Sequence, residues 1–187
     1  MAYTDVHYKF KKIGKNVTIG NNVYFRYPEC IEIGDNVIID DFSYFSTSLI
    51  IESFVHIAPH CSVIGGKESR LIMREFSGIA TGVRVICGSN NFLGEGLTNP
   101  TVPSKYRPND IITTVEIGKH VVVGAGTVIN PGVTIGEGSS IGSMTLITKS
   151  LDSWGVYFGQ PARFYKHRNK EKVLEYEKLF KEEHEIK

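Results

Sequence analysis

The sequence predicts an all-β solenoid, a parallel β-helix of about six triangular coils with one long external loop and a C-terminal α-helix. Three observations predict it: an apolar residue at every sixth position through two long blocks, Asn or Gly recurring three places after many of these anchors, and one long break in the rhythm. A period of six fits neither a helix, at about 3.6 residues per turn, nor a simple alternating strand, but it suits short flat strands joined by repeated bends. Three such strands close one triangular coil.

The first block of anchors is Ile13, Ile19 and Phe25, then, after a slip of two residues, Ile33, Ile39, Phe45, Ile51, Ile57 and Val63. The second is Ile117, Val123, Ile129, Ile135, Ile141 and Ile147. Counted in threes they mark coils over residues 13–30, 33–50, 51–66, 73–90, 117–134 and 135–152. In such a stack the anchor and the small fifth residue point inward, and the third and fourth residues make the bend. The fourth position calls for φ > 0, and it holds Asn16, Asn22, Asn36, Gly82, Gly126, Gly132 and Gly138, types that adopt the left-handed region at low cost. Hydrogen bonds run from coil to coil, so the first and last coils expose open edges that need a cover. Val173, Leu174, Tyr176, Leu179 and Phe180 fall at helical spacing among Lys and Glu, which predicts an amphipathic helix over 168–184, placed to cap the coil or to meet a neighbour. The division expected is a β-helix domain over residues 1–166 and a C-terminal helix over 167–187.

Two segments break the repeat, and both are expected to loop out of the stack. The shorter covers residues 65–72 around Gly65 and Gly66; the longer runs over 88–114 with Pro100, Pro103 and Pro108. A loop of that length in a compact domain is seldom without function.

Bulk composition narrows the classes. The 187 residues suffice for one domain, and a net charge of +1 gives no basic stripe for nucleic acid or an anionic membrane. No apolar run has the length of a signal peptide or a membrane span, so a cytoplasmic protein is expected. Cys30, Cys61 and Cys87 are odd in number and widely spaced, as suits reduced packing thiols.

The hexad also assigns directions to the histidines. His60 and His120 occupy the fourth position, the bend, which favours a structural role. His56 occupies the sixth and points outward, where a neutral imidazole is suited to proton transfer near neutral pH. Zinc needs three or four convergent donors, as in the γ-type carbonic anhydrases that share such a solenoid. His7, His167 and His184 are scattered along the chain, so no metal site is expected.

The repeat followed by VGAGTVINPGVTIGEGSSIGSMTLITKSLDSWGVYFGQPARFYKHR is similar to the hexapeptide-repeat acyltransferases, whose β-helix is left-handed. The resemblance implies a homotrimer using acetyl-CoA or another acyl-CoA, with the active site between subunits. The loop SNNFLGEGLTNPTVPSKYRP resembles the branch that acylates nucleotide-linked amino sugars, such as dTDP-4-amino-4,6-dideoxyglucose, for surface polysaccharides. Carried onto matching positions, the resemblance places Ala125 and Ser143 against the pantetheine arm through backbone groups, and Thr148 with Lys149 along the groove. Arg163 and Lys166 would face the CoA phosphates. The sugar O-acetyltransferases of the superfamily carry a His early in the long loop, where this chain has Ser89 or Asn90; the amino-sugar branch often has two Asp residues where this chain has Asn90 and Asn91. An amide does not titrate. The candidate catalytic residues are therefore His56 and Glu95, with Asn90 and Asn91 by position.

Loss of the loop His favours an amine nucleophile, since a neutral amine needs orientation and removal of its proton only after attack. The expected activity is N-acylation of a nucleotide-linked dideoxy amino sugar by direct attack on the thioester. A sugar O-acetyltransferase of the same fold and a non-catalytic trimeric scaffold are the alternatives.

Overall fold

Short strands recur at the spacing of the anchors, and each pairs in parallel with the strand one coil away. The computed structural model describes residues 8–186. Three faces alternate along the chain. The first holds Lys12–Ile13, Ile31–Ile33, the second halves of Tyr44–Ile51 and Ser62–Met73, then Thr114–Ile117 and Thr134–Ile135. The second holds Thr18–Ile19, Ile38–Ile39, His56–Ile57, Gly78–Ile79, Val122–Val123, Ser140–Ile141 and Gly155–Phe158. The third holds Tyr24–Phe25, the first halves of the two long strands, Arg84–Ile86, Val128–Ile129 and Leu146–Ile147. Six coils are complete, as the spacing predicts.

Register turns the anchors into columns. On the second face Ile19, Ile39, Ile57, Ile79, Val123 and Ile141 lie one above another; on the third, Phe25, Phe45, Val63, Val85, Ile129 and Ile147 do. These side chains fill the prism and are buried. Ile13 is the exception at 50% exposed, because it belongs to the outermost coil of the described residues. Phe25 in the same coil stays buried under Tyr8 and Phe10, which meet its ring edge-on. Small fifth residues complete the core, and their hydroxyls donate to carbonyls: Ser77 to Arg74, Thr127 and Thr145 to Gly142, Ser139 to Asp152. This satisfies buried polar groups that would otherwise cost stability.

Phe45 is fully buried and stacks on Phe25 with centroids 4.9 Å apart. Phe45→Ala is expected to destabilise the fold by about 3–5 kcal/mol through lost burial and a cavity that the columns above and below hold open. Urea unfolding measures it; a loss below about 1 kcal/mol would mean that the stack collapses into the space.

The bends depart from expectation in composition. Asn16, Asn36, His60, His120 and the four predicted glycines have positive φ, but Asn22 does not, and Phe42, Phe54, Phe76, Met144 and Trp154 do. Bulky residues in the left-handed region cost energy, and stacking between coils offsets it: Phe54 lies on Phe76 at 4.9 Å, Phe76 on His120 at 5.3 Å, and Phe42 on His60 at 5.1 Å. Gly138 lies between His120 and Trp154 in this ladder. A Cβ there would sit 2.4 Å from the indole, so only Gly admits the ring.

Residues 65–72 do not loop out. The strand Ser62–Met73 runs through them, turned by Gly66 at φ +82° and slipped in register against Ser46–Ser48. Hydroxyls of Thr47 and Ser48 donate to the carbonyls of Ser69 and Lys67, holding the slip. Of the two placements expected for the C-terminal helix, it does not take the one over the end of the coil. The last coil's edge is covered by Arg163–His167, antiparallel to Gly155–Phe158. The helix α1, Lys170–Glu183, instead lies along the side of the prism at the first–second corner, with Phe180 edge-on to Phe54 and Phe76. Asn169 caps it by accepting from the Lys172 amide.

Candidate active site

The long loop leaves the third–first corner without disturbing the stack, since Met73 pairs with Ile117 and Val85 with Ile129 across it. Gly88–Ser89 and Ile111–Ile112 close its base as an antiparallel pair. Gly88 is required there: a Cβ would sit 2.5 Å from Ser69 Oγ and 2.8 Å from the Ile111 carbonyl.

Two polar networks hold the loop. In one, the Asn90 amide donates to Asp110 Oδ1 at 3.2 Å and accepts from the Asn99 backbone at 3.0 Å, while Arg107 pairs with Asp110 and donates to the Val102 carbonyl. In the other, Glu95 Oε2 accepts from Asn91 and from Asn109, each at 2.9 Å. Asn90 and Asn91 therefore act here as hydrogen-bonding braces, consistent with side chains that cannot titrate. Residues 88–114 contain no His. Phe92 and Leu93 at the loop's tip are each 84% exposed.

His56 points outward from the second face, as the hexad predicts, with its side chain 55% exposed. Its Nε2 lies 2.8 Å from Asp40 Oδ2, one coil below. Asp40 was not legible as a partner from spacing along the chain, but the register that sets Ile38 beside His56 brings it there. A carboxylate on one ring nitrogen fixes tautomer and orientation and leaves the other nitrogen free for proton transfer. The third–first corner is the vertex opposite the second face, so the core of the prism separates His56 from the loop of its own chain.

Ala125 and Ser143 occupy the second–third corner one coil apart, where Gly124 lets the chains approach: a Cβ there would sit 2.5 Å from the Ser143 amide nitrogen. Arg163 starts the final hairpin strand beside this corner, just after Ala162 bonds the Leu146 carbonyl; Lys166 lies further along the strand, opposite Val156, and both are exposed. Thr148 and Lys149 are exposed at a different corner, the third–first, on the side that bears the loop. The structure thus brings Ala125, Ser143 and Arg163 together and sets Thr148 and Lys149 apart.

The remaining groups singled out by the sequence make contacts within the fold. His60 stacks on Phe42, and His120 is buried with Nε2 2.7 Å from Glu177. Burial pushes the Cys61 thiol up to about 11 and the Cys87 thiol to about 12, which favours the protonated form. Among the described residues no three of His, Cys, Asp and Glu gather as metal ligands, and no helix is long and apolar enough to cross a membrane. His7 lies outside the described residues.

Stacked hexads with one long corner loop define a hexapeptide-repeat transferase. The family model for bacterial transferase hexapeptides (six repeats) matches residues 114–149, and that for the hexapeptide repeat of succinyl-transferase matches 12–40. The chain belongs to the hexapeptide-repeat acyltransferase family that includes a dTDP-4-amino-4,6-dideoxy-D-glucose acyltransferase of Escherichia coli, with 36% identity over 97% of this chain and 96% of that protein. The crystal structure of AntD, an N-acyltransferase from Bacillus cereus in complex with dTDP and 3-hydroxybutyryl-CoA, superposes with a TM-score of 0.87 at 36% identity, covering 94% of this chain and 92% of that one. A single-residue variant of AntD in complex with dTDP-4-amino-4,6-dideoxyglucose and coenzyme A gives 0.86 at 36% identity, covering 92% of this chain and 91% of that one. A maltose O-acetyltransferase from Clostridium difficile, at 21% identity and a TM-score of 0.57 over 86% of this chain and 71% of that one, shares the fold alone.

Proposed function

We propose that this protein transfers an acyl group, acetyl or a larger one, from acyl-CoA to the amino group of a dTDP-linked dideoxy amino sugar used in surface polysaccharide synthesis. The observation that carries the reading is the composition of the corner loop: amides, two carboxylates and an arginine held in two networks, with no imidazole within residues 88–114. The ligands named for AntD support the same substrates.

The active site is shared between neighbouring subunits of a homotrimer. Ile38, Phe42, Tyr44, Val122 and Met144 are exposed on the second and third faces around their common corner, an apolar surface of the kind that association buries. Rotation about a threefold axis sets one subunit's second–third corner, with Ala125, Ser143 and Arg163, and its second face, with His56 two coils below Val122, against the next subunit's third–first corner, with its loop, Thr148 and Lys149. A heterologous contact of this kind closes into a ring. Acyl-CoA lies in the groove between them, its phosphates on Arg163 and Lys166. The β-helix of residues 1–166 supplies these groups, and the protein works in the cytoplasm, where acyl-CoA is available.

In the reaction the amine attacks the thioester carbonyl, forming the C–N bond, and backbone N–H groups along the groove stabilise the oxyanion. Glu95, held by Asn91 and Asn109, orients the amine. His56, held by Asp40, accepts its proton as the tetrahedral intermediate collapses. The C–S bond breaks, CoA leaves as thiolate, and the proton on His56 neutralises it. His56→Ala is expected to lower kcat about a hundredfold or more, the contribution of a positioned base, while acyl-CoA affinity by calorimetry stays within about twofold. Turnover of His56→Ala equal to wild type would remove the proposed base, and absence of acyl-CoA binding by the wild type would remove the transferase reading.

A further inference from the structure

A cavity of about 630 Å³ opens at the first–second corner between α1 and the aromatic ladder, and none of the residues assigned above to acyl transfer lines it. Its volume falls in the range of small-molecule sites. The stacked rings of Phe54 and Phe76 make its floor, Phe180 stands edge-on to both, and Val173 and Tyr176 form the helix wall.

Arg168 gives this apolar cleft a charged end. Its Nη1 donates to the carbonyls of His120 at 2.7 Å and Gly138 at 3.0 Å, which fixes the guanidinium at the rim. No carboxylate among the described residues pairs with it. Of the other charged groups nearby, Glu177 takes Lys119 and Lys181 and bonds the His120 ring, Lys172 takes Glu175, and Lys170 lies over the Trp154 ring. Partial burial without an acidic partner lowers the Arg168 pKa, as desolvation of an uncompensated cation does. A guanidinium keeps five N–H donors in a planar fork; the donors other than Nη1 meet no acceptor among the described residues.

We infer that this cleft binds a small amphipathic anion, an aromatic or short-chain carboxylate, with its apolar body on Phe54 and Phe76 and its anionic group on Arg168. Trp154, the sole tryptophan, stands in the same ladder 6.3 Å from His120 and reports occupancy by energy transfer. With anilinonaphthalene sulfonate as probe, the full-length protein is expected to give saturable emission sensitised by Trp154, which phenylbutyrate displaces. Arg168→Met is expected to weaken binding about tenfold or more, the effect of losing a charge-assisted bond. Val173→Phe, which narrows the cleft and leaves the Arg168 bonds in place, is expected to abolish the signal with the circular dichroism spectrum unchanged. The neutral analogue N-phenylnaphthylamine is expected to show no saturation over the same concentrations. Equal binding of the neutral probe, wild-type affinity in a folded Val173→Phe protein, or no sensitised emission because a second copy of the chain covers the cleft would each overturn the inference. Should Arg168→Met fail to fold, the Val173→Phe variant and the neutral probe decide it.

Discussion

Coexpression of His56→Ala with Glu95→Gln is expected to return about a quarter of wild-type activity, although trimers of either variant alone are close to inactive. The reason is geometric. His56 lies on the second face and Glu95 in the loop at the opposite vertex, so a site that uses both must draw them from different chains. In a randomly mixed ring, a site is whole when the subunit giving His56 is the Glu95→Gln chain and its neighbour giving Glu95 is the His56→Ala chain. Each condition holds for half of the positions, which yields the quarter. A single-chain site predicts no recovery, because every chain then carries one lesion. A thiol-release assay on the coexpressed population reads the quarter, and mixed trimers isolated through two different affinity tags, in which one site of three is whole, should give about a third; mixed trimers with no more activity than the parents would place both residues in one subunit's site or remove one from the reaction.

Glu177→Gln is expected to loosen α1 throughout the neutral range. Burial opposes ionisation of the Glu177 carboxyl, but hydrogen bonds from Lys119, His120 and Lys181 outweigh it and hold the carboxyl at about 2, against an ordinary 4.5. Glu75 faces the same cluster, 3.8 Å from Lys119 and 3.9 Å from Lys181. Because the folded value is depressed, the carboxylate's contribution is fully present above the unfolded value of 4.5 and is lost as pH falls through 4.5 toward about 2. The shift corresponds to about 3 kcal/mol. In the wild type, Trp154 emission should therefore change across that acid window as α1 lifts from the ladder. In Glu177→Gln two lysines and the His120 ring lose their carboxylate partner, and amide exchange along α1 should already be faster at neutral pH by about a hundredfold. Wild-type exchange in the variant would show that Phe180 against Phe54 and Phe76 holds the helix without the charge cluster.

Much of this arrangement is legible along the chain. The hexad anchors Ile39, Ile57 and Ile79 announce a column, because an inward apolar residue at each strand is what a stacked coil needs. The outward direction of His56 and the bend positions of His60 and His120 follow from the same count. The aromatic bends do not. Propensity argues against Phe54 or Phe76 at positive φ, and only contact with the coil above and below supplies the stacking that offsets the strain. Asp40 was missed for a related reason: it is sixteen residues from His56 in the chain, and nothing but register makes them neighbours. The segment 65–72 reads as an insertion, yet Gly66 and the slipped pairing opposite Thr47 keep it in the sheet.

The sequence by itself determined the solenoid, its coil count and the site of the long loop, because each depends on the order of inward and outward residues in a repeat. The tertiary structure alone decided that α1 lies on the flank of the prism rather than its end, that Glu177 gathers Lys119, His120 and Lys181, and that His56 and Glu95 belong to opposite sides of one chain. Those are relations between residues far apart in the chain. They are set by the stacking of coils and the charges that stacking collects, which no local period encodes.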